Sequence, residues 1–251
     1  MNHKTQQPPP AQPPTLERPR RVLIVGATGR LGAAISRALV QRGDHVALTA
    51  RDPVKLDALA RDLGALTPNK PRVVCADLRA PSAPIRIARE LINTGGLDDL
   101  VLAGGTLIRT PLQDLRREDL VATLNVHAVA PLLLASALGE ELARRRGAIV
   151  GLSDAGVSRP YLNHSAYLMA KGALQTGLLA LATELAPRVR VNVLALGAVA
   201  EGEADQDPIR SQRIASRSPL GRFGTAAEVV HAVIALLDAT WVTGEVWGVG
   251  R

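Results

Sequence analysis

The sequence predicts an α/β fold of a single domain, a doubly wound parallel sheet with helices on both faces. Three observations predict it. Short apolar runs alternate with longer amphipathic stretches from residue 21 to the end, which is the order of a parallel sheet with helical crossovers. Hydrophobic residues make up 47% of the 251 residues but aromatics only 2%, so the core is built from Ala, Val, Leu and Ile, as suits strands buried on both faces. The first apolar run enters a glycine-rich turn and then a helical pattern, the local order of a sheet that receives a phosphorylated ligand at its carboxyl edge.

In chain order, residues 1–20 are rich in Pro and Gln without an apolar face, and are expected to form a disordered extension to the domain of residues 21–251. Arg21–Val25 is the first strand. The turn Gly26-Ala-Thr-Gly-Arg-Leu-Gly32 follows, and an amphipathic helix over 33–42. Glycine lets the backbone turn tightly and approach a pyrophosphate, which makes Gly26, Thr28, Gly29, Arg30, Leu31 and Gly32 candidates for binding a dinucleotide. A tight turn without a ligand is the alternative.

Residues 45–49 form the second strand, with Arg51 and Asp52 just beyond it. An acidic residue at this point binds a ribose 2′-hydroxyl, whereas an arginine suits a 2′-phosphate. Two guanidiniums, Arg30 and Arg51, favour NADP(H), with Asp52 as the opposing feature. Residues 53–63 read as a helix and 72–76 as the third strand, ending at Asp77 and Leu78. A helix over 85–92 and a strand over 98–102 lead to Ala103, Gly104 and Gly105, where small residues again allow close approach to a flat ligand. Residues 115–145 are helical, with a kink expected near Asn125 and Pro131. The fifth strand, 147–152, ends before Ser153 and Asp154. A helix over 166–185, a strand over 190–195 followed by Gly197, a polar flap over 201–218, a helix over 225–237 opened by a Thr225–Glu228 capping box, and a last strand over 243–249 complete the chain.

Tyr167 and Lys171 stand four apart at the start of a helix and so share a face. A phenol is a poor acid–base group at neutral pH unless a nearby positive charge favours its phenolate. Lys171 supplies that charge in this reading, and Tyr167 then exchanges a proton with an electron-rich substrate atom. A Tyr and a Lys that merely pack at helical spacing are the alternative.

Composition excludes several classes. The single cysteine, Cys75, lies in an apolar run and reads as a buried, inert thiol; one cysteine allows neither an internal disulfide nor a cysteine metal cluster. The reading includes no metal site. No apolar run approaches a membrane span and no hydrophobic leader is visible, so a soluble cytoplasmic protein without a membrane partner is expected. The net charge of +7 is spread through helical patterns without aromatic platforms, which argues against a nucleic-acid partner.

Taken together, the glycine turn, Asp77-Leu78, Asn125, Tyr167-Leu-Met-Ala-Lys171, Val191-Asn192-Val193, Pro219-Leu-Gly-Arg-Phe-Gly224 and Val242-Thr-Gly244 resemble the short-chain dehydrogenase/reductase family, over nearly the whole chain from Arg21. The resemblance implies a Rossmann-like sheet, a homotetramer or homodimer, and hydride transfer between a nicotinamide and a small-molecule substrate. It implies Tyr167 as acid/base, Lys171 holding the nicotinamide ribose and lowering the Tyr pKa, and Asn125 holding a water of the proton relay. It also implies Asp77, Leu78, Ala103, Gly104 and Gly197 as cofactor contacts.

The departures point further. Arg30 replaces a glycine and Asp154 the family's serine, thirteen residues before Tyr167. Both, with Met169-Ala-Lys-Gly-Ala173, are similar to pteridine reductases. An ionised carboxylate only accepts hydrogen bonds, which suits ring N–H donors better than a ketone oxygen; alternatively Ser153 takes the hydroxyl role. A C=O or C=N bond of a small substrate, a pterin among them, is therefore the expected target. A 3-oxoacyl-thioester or general ketone reductase and a non-catalytic NADP(H) sensor are the rivals. Leu102-Ala-Gly-Gly105 and Leu196-Gly197 depart from the family's loops and leave room for the sensor, and the lack of an aromatic residue over 106–112 stands against the pterin.

Overall fold

A computed structural model describes residues 18–200, 211–212, 215–216 and 218–250. Seven parallel strands form one sheet in the order β3-β2-β1-β4-β5-β6-β7. They are β1 (Arg21–Val25), β2 (His45–Ala50), β3 (Arg72–Cys75), β4 (Asp99–Leu102), β5 (Ala148–Asp154), β6 (Arg190–Leu196) and β7 (Val246–Val249). The helices are α1 (Arg30–Gln41), α2 (Pro53–Gly64), α3 (Ala83–Asn93), α4 (Arg117–Leu124), α5 (Ala130–Arg144), α6 (Ser165–Leu185) and α7 (Ala226–Asp238), with a π-helical turn, Asn125–Val129, between α4 and α5.

The two-residue period of a strand sorts its side chains onto opposite faces. Leu23, Val25, Leu100, Leu102, Ile149, Val191 and Val193 face α3, α5 and α6 and join Leu134, Leu138 and Leu178 in one core. Val22, Ile24, Val101, Val150 and Leu194 face α1, α2 and α7 and join Ile35, Leu39, Leu56, Val233 and Leu237 in the other. Each fully buried aliphatic side chain contributes about 1.5–3 kcal/mol of transfer free energy, so both layers are required.

At the amino ends of the strands, charge replaces apolar packing. Asp98 and Asp99 are buried where β4 begins. Asp98 takes a bidentate contact from Arg18 and the Arg21 backbone N–H. Asp99 accepts from Arg20 at 2.5 Å and from the Ala148 N–H at 2.7 Å. Arg18 and Arg20, assigned to the extension by their composition, are thus tied to the sheet; residues 1–17 lie outside the described residues. On the far side, Arg190 donates to the Leu236, Leu237 and Ala239 carbonyls and so closes the end of α7.

Four expectations change. Cys75 is exposed, because β3 is the edge strand and Cys75 lies on the opposite side of the pleat from buried Val74 and Ala76. The strand β5 runs to Asp154, since Ser153 and Asp154 pair with Ala195 and Leu196 of β6. The kink in the long helix is a π turn at Asn125, with Pro131 at the head of α5. The stretch Arg117–Arg144 is long and apolar enough by length and composition to cross a membrane; its Leu134, Ala135, Leu138 and Leu142 are instead fully buried in the domain core. The expected flap over 201–218 falls mostly outside the described residues. The capping box at Thr225 and Glu228 is present.

Candidate active site

The carboxyl ends of β1, β2, β4, β5 and β6 bring the predicted residues to one edge of the sheet. Gly26 leaves β1 with φ 77°, and a Cβ there would lie 2.4 Å from the Gly104 Cα. The loops after β1 and β4 therefore touch backbone to backbone, which only glycine permits. A Cβ on Gly32 would lie 2.2 Å from the Gly26 carbonyl oxygen, so the turn folds tightly over the head of α1.

That helix starts at Arg30, three residues earlier than its apolar pattern suggests, with Gly29 as an N-cap that has no side-chain hydrogen bond. The N–H groups of Arg30, Leu31 and Gly32 in its first turn have no intrahelical partner, and the helix dipole adds positive potential there. Thr28 stands half-buried beside them. This cradle fits a pyrophosphate.

The strand β2 ends at Ala50, so Arg51 comes first after it and is exposed. Asp52 is the N-cap of α2 and accepts from the Lys55 N–H at 3.1 Å. The acidic residue is thereby spent on a helix end. Arg30 is exposed and its guanidinium reaches the Val199 carbonyl at 3.3 Å. Asp77 pairs with Arg79, whose hydrogen bonds hold its carboxyl below the usual range. Ala103 donates its N–H to the Val25 carbonyl at 3.0 Å. Gly197 has a structural reason for its identity, since a Cβ there would lie 2.1 Å from the Gly250 oxygen.

The extension of β5 and the helix α6 assemble the polar centre. Tyr167 Oη donates to Asp154 Oδ2 at 3.1 Å. Tyr161 Oη donates to the same oxygen at 3.0 Å. Asp154 Oδ1 accepts the Gly156 N–H at 2.6 Å. Lys171, on the same face of α6 as Tyr167, donates from Nζ to the Leu152 carbonyl at 2.9 Å and lies 5.8 Å from the Tyr167 ring centroid. Ser153 Oγ donates to the Lys171 carbonyl at 3.3 Å and is buried against α6. It therefore does not supply a hydroxyl beside Tyr167.

The electrostatics correct one expectation. Burial, then the Asp154 carboxylate, push the Tyr167 phenol above its ordinary value. Lys171 is pulled down to about 8 by burial, with Asp154 opposing. The carboxylate accepts a hydrogen bond from the phenol, whereas the ammonium spends a hydrogen bond on a carbonyl. Tyr167 is thus a protonated phenol at neutral pH, a group with a proton to give.

Asn125 opens the π turn, and its carbonyl accepts the Ala130 N–H. Its amide donates to the Leu78 and Arg79 carbonyls at 3.5 and 3.3 Å, so it ties the kink to the loop after β3 and forms no direct hydrogen bond with Tyr167. The turn delivers a residue that periodicity did not single out: the buried His127 ring lies edge-on to Tyr167, centroids 5.4 Å apart at 88°. His127 Nε2 accepts the Thr106 N–H at 3.4 Å and Nδ1 has no partner. Burial, then the Lys171 charge, bring it down to about 4, so it is neutral at pH 7. Tyr161 also went unremarked. The signal available was its scarcity, since the chain holds two tyrosines, six positions apart.

The family profile described as enoyl-(acyl carrier protein) reductase matches residues 26–250. Human L-xylulose reductase is 31% identical over 225 residues, 87% of this chain and 89% of that protein. The 3-oxoacyl-[acyl-carrier-protein] reductase of Bos taurus is 29% identical over 233 residues, 89% of this chain and 93% of that one. Among solved structures, a 3-oxoacyl (acyl-carrier-protein) reductase from Agrobacterium tumefaciens with NADP bound is 25% identical with a TM-score of 0.85, covering 92% of this chain and 93% of its own. The L-sorbose reductase of Gluconobacter frateurii, complexed with NADPH and L-sorbose, shares the fold with a TM-score of 0.86 at 24% identity, over 92% of this chain and 95% of that chain. The chain belongs to the short-chain dehydrogenase/reductase family, oxidoreductases that work with a nicotinamide dinucleotide.

Proposed function

We propose that the protein is an NADPH-dependent reductase of a ketone carbonyl in a small substrate. The observation that carries this reading is the Tyr167 phenol hydrogen-bonded to Asp154 and set beside Lys171, at the same sheet edge as the glycine cradle. Gly26, Thr28, Gly29, Arg30, Leu31 and Gly32 hold the pyrophosphate. Arg30 and Arg51 meet the 2′-phosphate, a preference supported by the engagement of Asp52 as a cap. Asp77, Leu78, Ala103, Gly104 and Gly197 line the rest of the dinucleotide, and Lys171 holds the nicotinamide ribose.

When bound in that cradle, a reduced nicotinamide would supply the hydride that the carbonyl carbon receives. As the C=O π pair moves onto oxygen, Tyr167 gives that oxygen its proton, and an alcohol results. Lys171, cationic below about pH 8, stabilises the phenolate left behind. Asn125 holds the kink that keeps α4, α5 and α6 together at the site, and positions a water of the relay that returns the proton.

The relatives named for L-xylulose, L-sorbose and 3-oxoacyl substrates support a ketone. A pterin is less favoured, because Asp154 already accepts three hydrogen bonds and Leu107, Ile108 and Leu112 offer no aromatic face for stacking. We also infer a homodimer or homotetramer formed through α4, α5 and α6, whose Val121, Leu133 and Met169 are exposed. A cytoplasmic location fits the exposed free thiol of Cys75.

The test is a panel of L-xylulose, L-sorbose, an acetoacetyl thioester and a pterin with NADPH and NADH, with light scattering on the same preparation. The expected outcome is NADPH oxidation by at least one ketone, at least tenfold preference over NADH, and an oligomer. NADPH binding without oxidation by any member would favour the sensor instead. A monomer at micromolar concentration would remove the oligomer.

A further inference from the structure

We propose that Tyr161 is a second substrate-facing hydroxyl, which donates a hydrogen bond to the reacting carbonyl oxygen from beside Tyr167 and so replaces the donor missing at position 154. The inference rests on the reductase reading above. It starts from a deficit. An ionised carboxylate has no proton to donate, so Asp154 cannot polarise a ketone oxygen, and it repels the negative charge that grows there. Ser153 is turned into α6. Among the described residues, the hydroxyl groups hydrogen-bonded to Asp154 are those of Tyr161 and Tyr167, both on Oδ2.

The two phenol oxygens lie 3.0 and 3.1 Å from the same carboxylate oxygen, so a carbonyl oxygen seated next to that oxygen is an acceptor to which both hydroxyls can turn. The position is built rather than incidental. A Cβ at Gly156 would fall 2.3 Å from Tyr161 Cε1, so residue 156 leaves room for the ring to reach Asp154. The ring also packs edge-on against His164 at 4.9 Å and 65°. Burial and the Asp154 charge push the Tyr161 phenol up, which keeps it a donor throughout the neutral range. Asp154 then holds two phenols in readiness. With substrate present each hydroxyl turns its single O–H from Asp154 to the carbonyl oxygen; Tyr167 transfers its proton to that oxygen, while Tyr161 keeps its own and contributes a hydrogen bond that strengthens as charge develops.

The experiment compares Tyr161→Phe, Asp154→Ser and the double variant with the wild type, on whichever ketone of the panel is reduced. Alkaline ultraviolet titration runs alongside; the chain's two tyrosines are these two, so tyrosinate absorption reports on no others. Tyr161→Phe is expected to lower kcat by about a hundredfold, the scale of losing one oxyanion donor, with NADPH affinity unchanged. Adding Asp154→Ser restores a donor at the position the family uses, and raises kcat about tenfold above Tyr161→Phe alone. A residue that only lines the pocket gives no such rescue. Wild-type kcat in Tyr161→Phe, or a double variant no better than the single one, overturns the proposal and leaves the reductase reading intact. If no ketone is reduced by the wild type, the reductase reading falls and this inference with it. Asp154→Asn is expected to move both phenols to lower pH; phenols that titrate unchanged would show that Asp154 does not join them, and overturn the proposal independently of turnover.

Discussion

One carboxylate oxygen, Asp154 Oδ2, accepts a hydrogen bond from each of two phenols. Burial, and then the Asp154 carboxylate, raise the Tyr167 phenol above its ordinary value, which suits proton donation during reduction. Lys171 is buried and titrates near 8. The sign of the pH dependence follows. Below that value the ammonium stabilises the phenolate formed in the reaction; above it the ammonium is neutral and the stabilisation is gone. For reduction, kcat/KM, which reports free-enzyme groups, is expected to fall as pH rises through about 8, and Lys171→Met should lose this limb together with most of its activity. A wild-type profile flat from pH 6 to 10 contradicts the role given to Lys171. At this scale the sequence was informative where chemistry has a period. Tyr167 and Lys171 follow from i, i+4 spacing, and the glycines from their turn between strand and helix. Tyr161 sits in a loop and His127 in a π turn, where neither helical nor strand periodicity assigns a facing direction, so both emerge only from the coordinates.

Between residues and the whole fold, the elements show where apolar patterning stops being a guide. The strands fall where alternation puts them, the one helix expected over 115–145 is divided by the π turn into α4 and α5, and ends shift by a few residues because hydrogen bonding, not hydropathy, sets them. The strand β5 gains Ser153 and Asp154 because β6 is there to pair with them. That shift matters, since it holds the Asp154 backbone in the sheet. The segment before β1 carries no apolar face, yet Arg20 pairs with Asp99, whose side chain is fully buried. Burial raises the Asp99 carboxyl to about 7 even beside Arg20, so removing Arg20 leaves a buried acid that must take up a proton and loses its charge-assisted hydrogen bond. Arg20→Ala is expected to destabilise the protein by about 3 kcal/mol in urea unfolding. A change below about 0.5 kcal/mol would mean that Arg190, which also faces Asp99 electrostatically, compensates for it alone.

Across the whole molecule, the sheet order places β1, β4 and β5 side by side at its centre. The glycine turn after β1 and Tyr167, the proposed proton donor beyond β5, therefore share one rim, with the Gly104 loop between them. This convergence was legible from the order of motifs, because a parallel sheet with right-handed crossovers admits few arrangements. The identity of the substrate was not, because pocket walls come from loops whose shape no pattern encodes, and much of 201–218 lies outside the described residues. The claim on which the account stands is that the Tyr167 phenol is the proton donor at that rim. Tyr167→Phe removes one oxygen and leaves the cradle intact. Measured by NADPH oxidation with the preferred ketone and by NADPH fluorescence titration, the variant is expected to lose turnover by about a thousandfold, within the range for a general acid, while binding NADPH as the wild type does. Turnover within tenfold of the wild type would contradict the account.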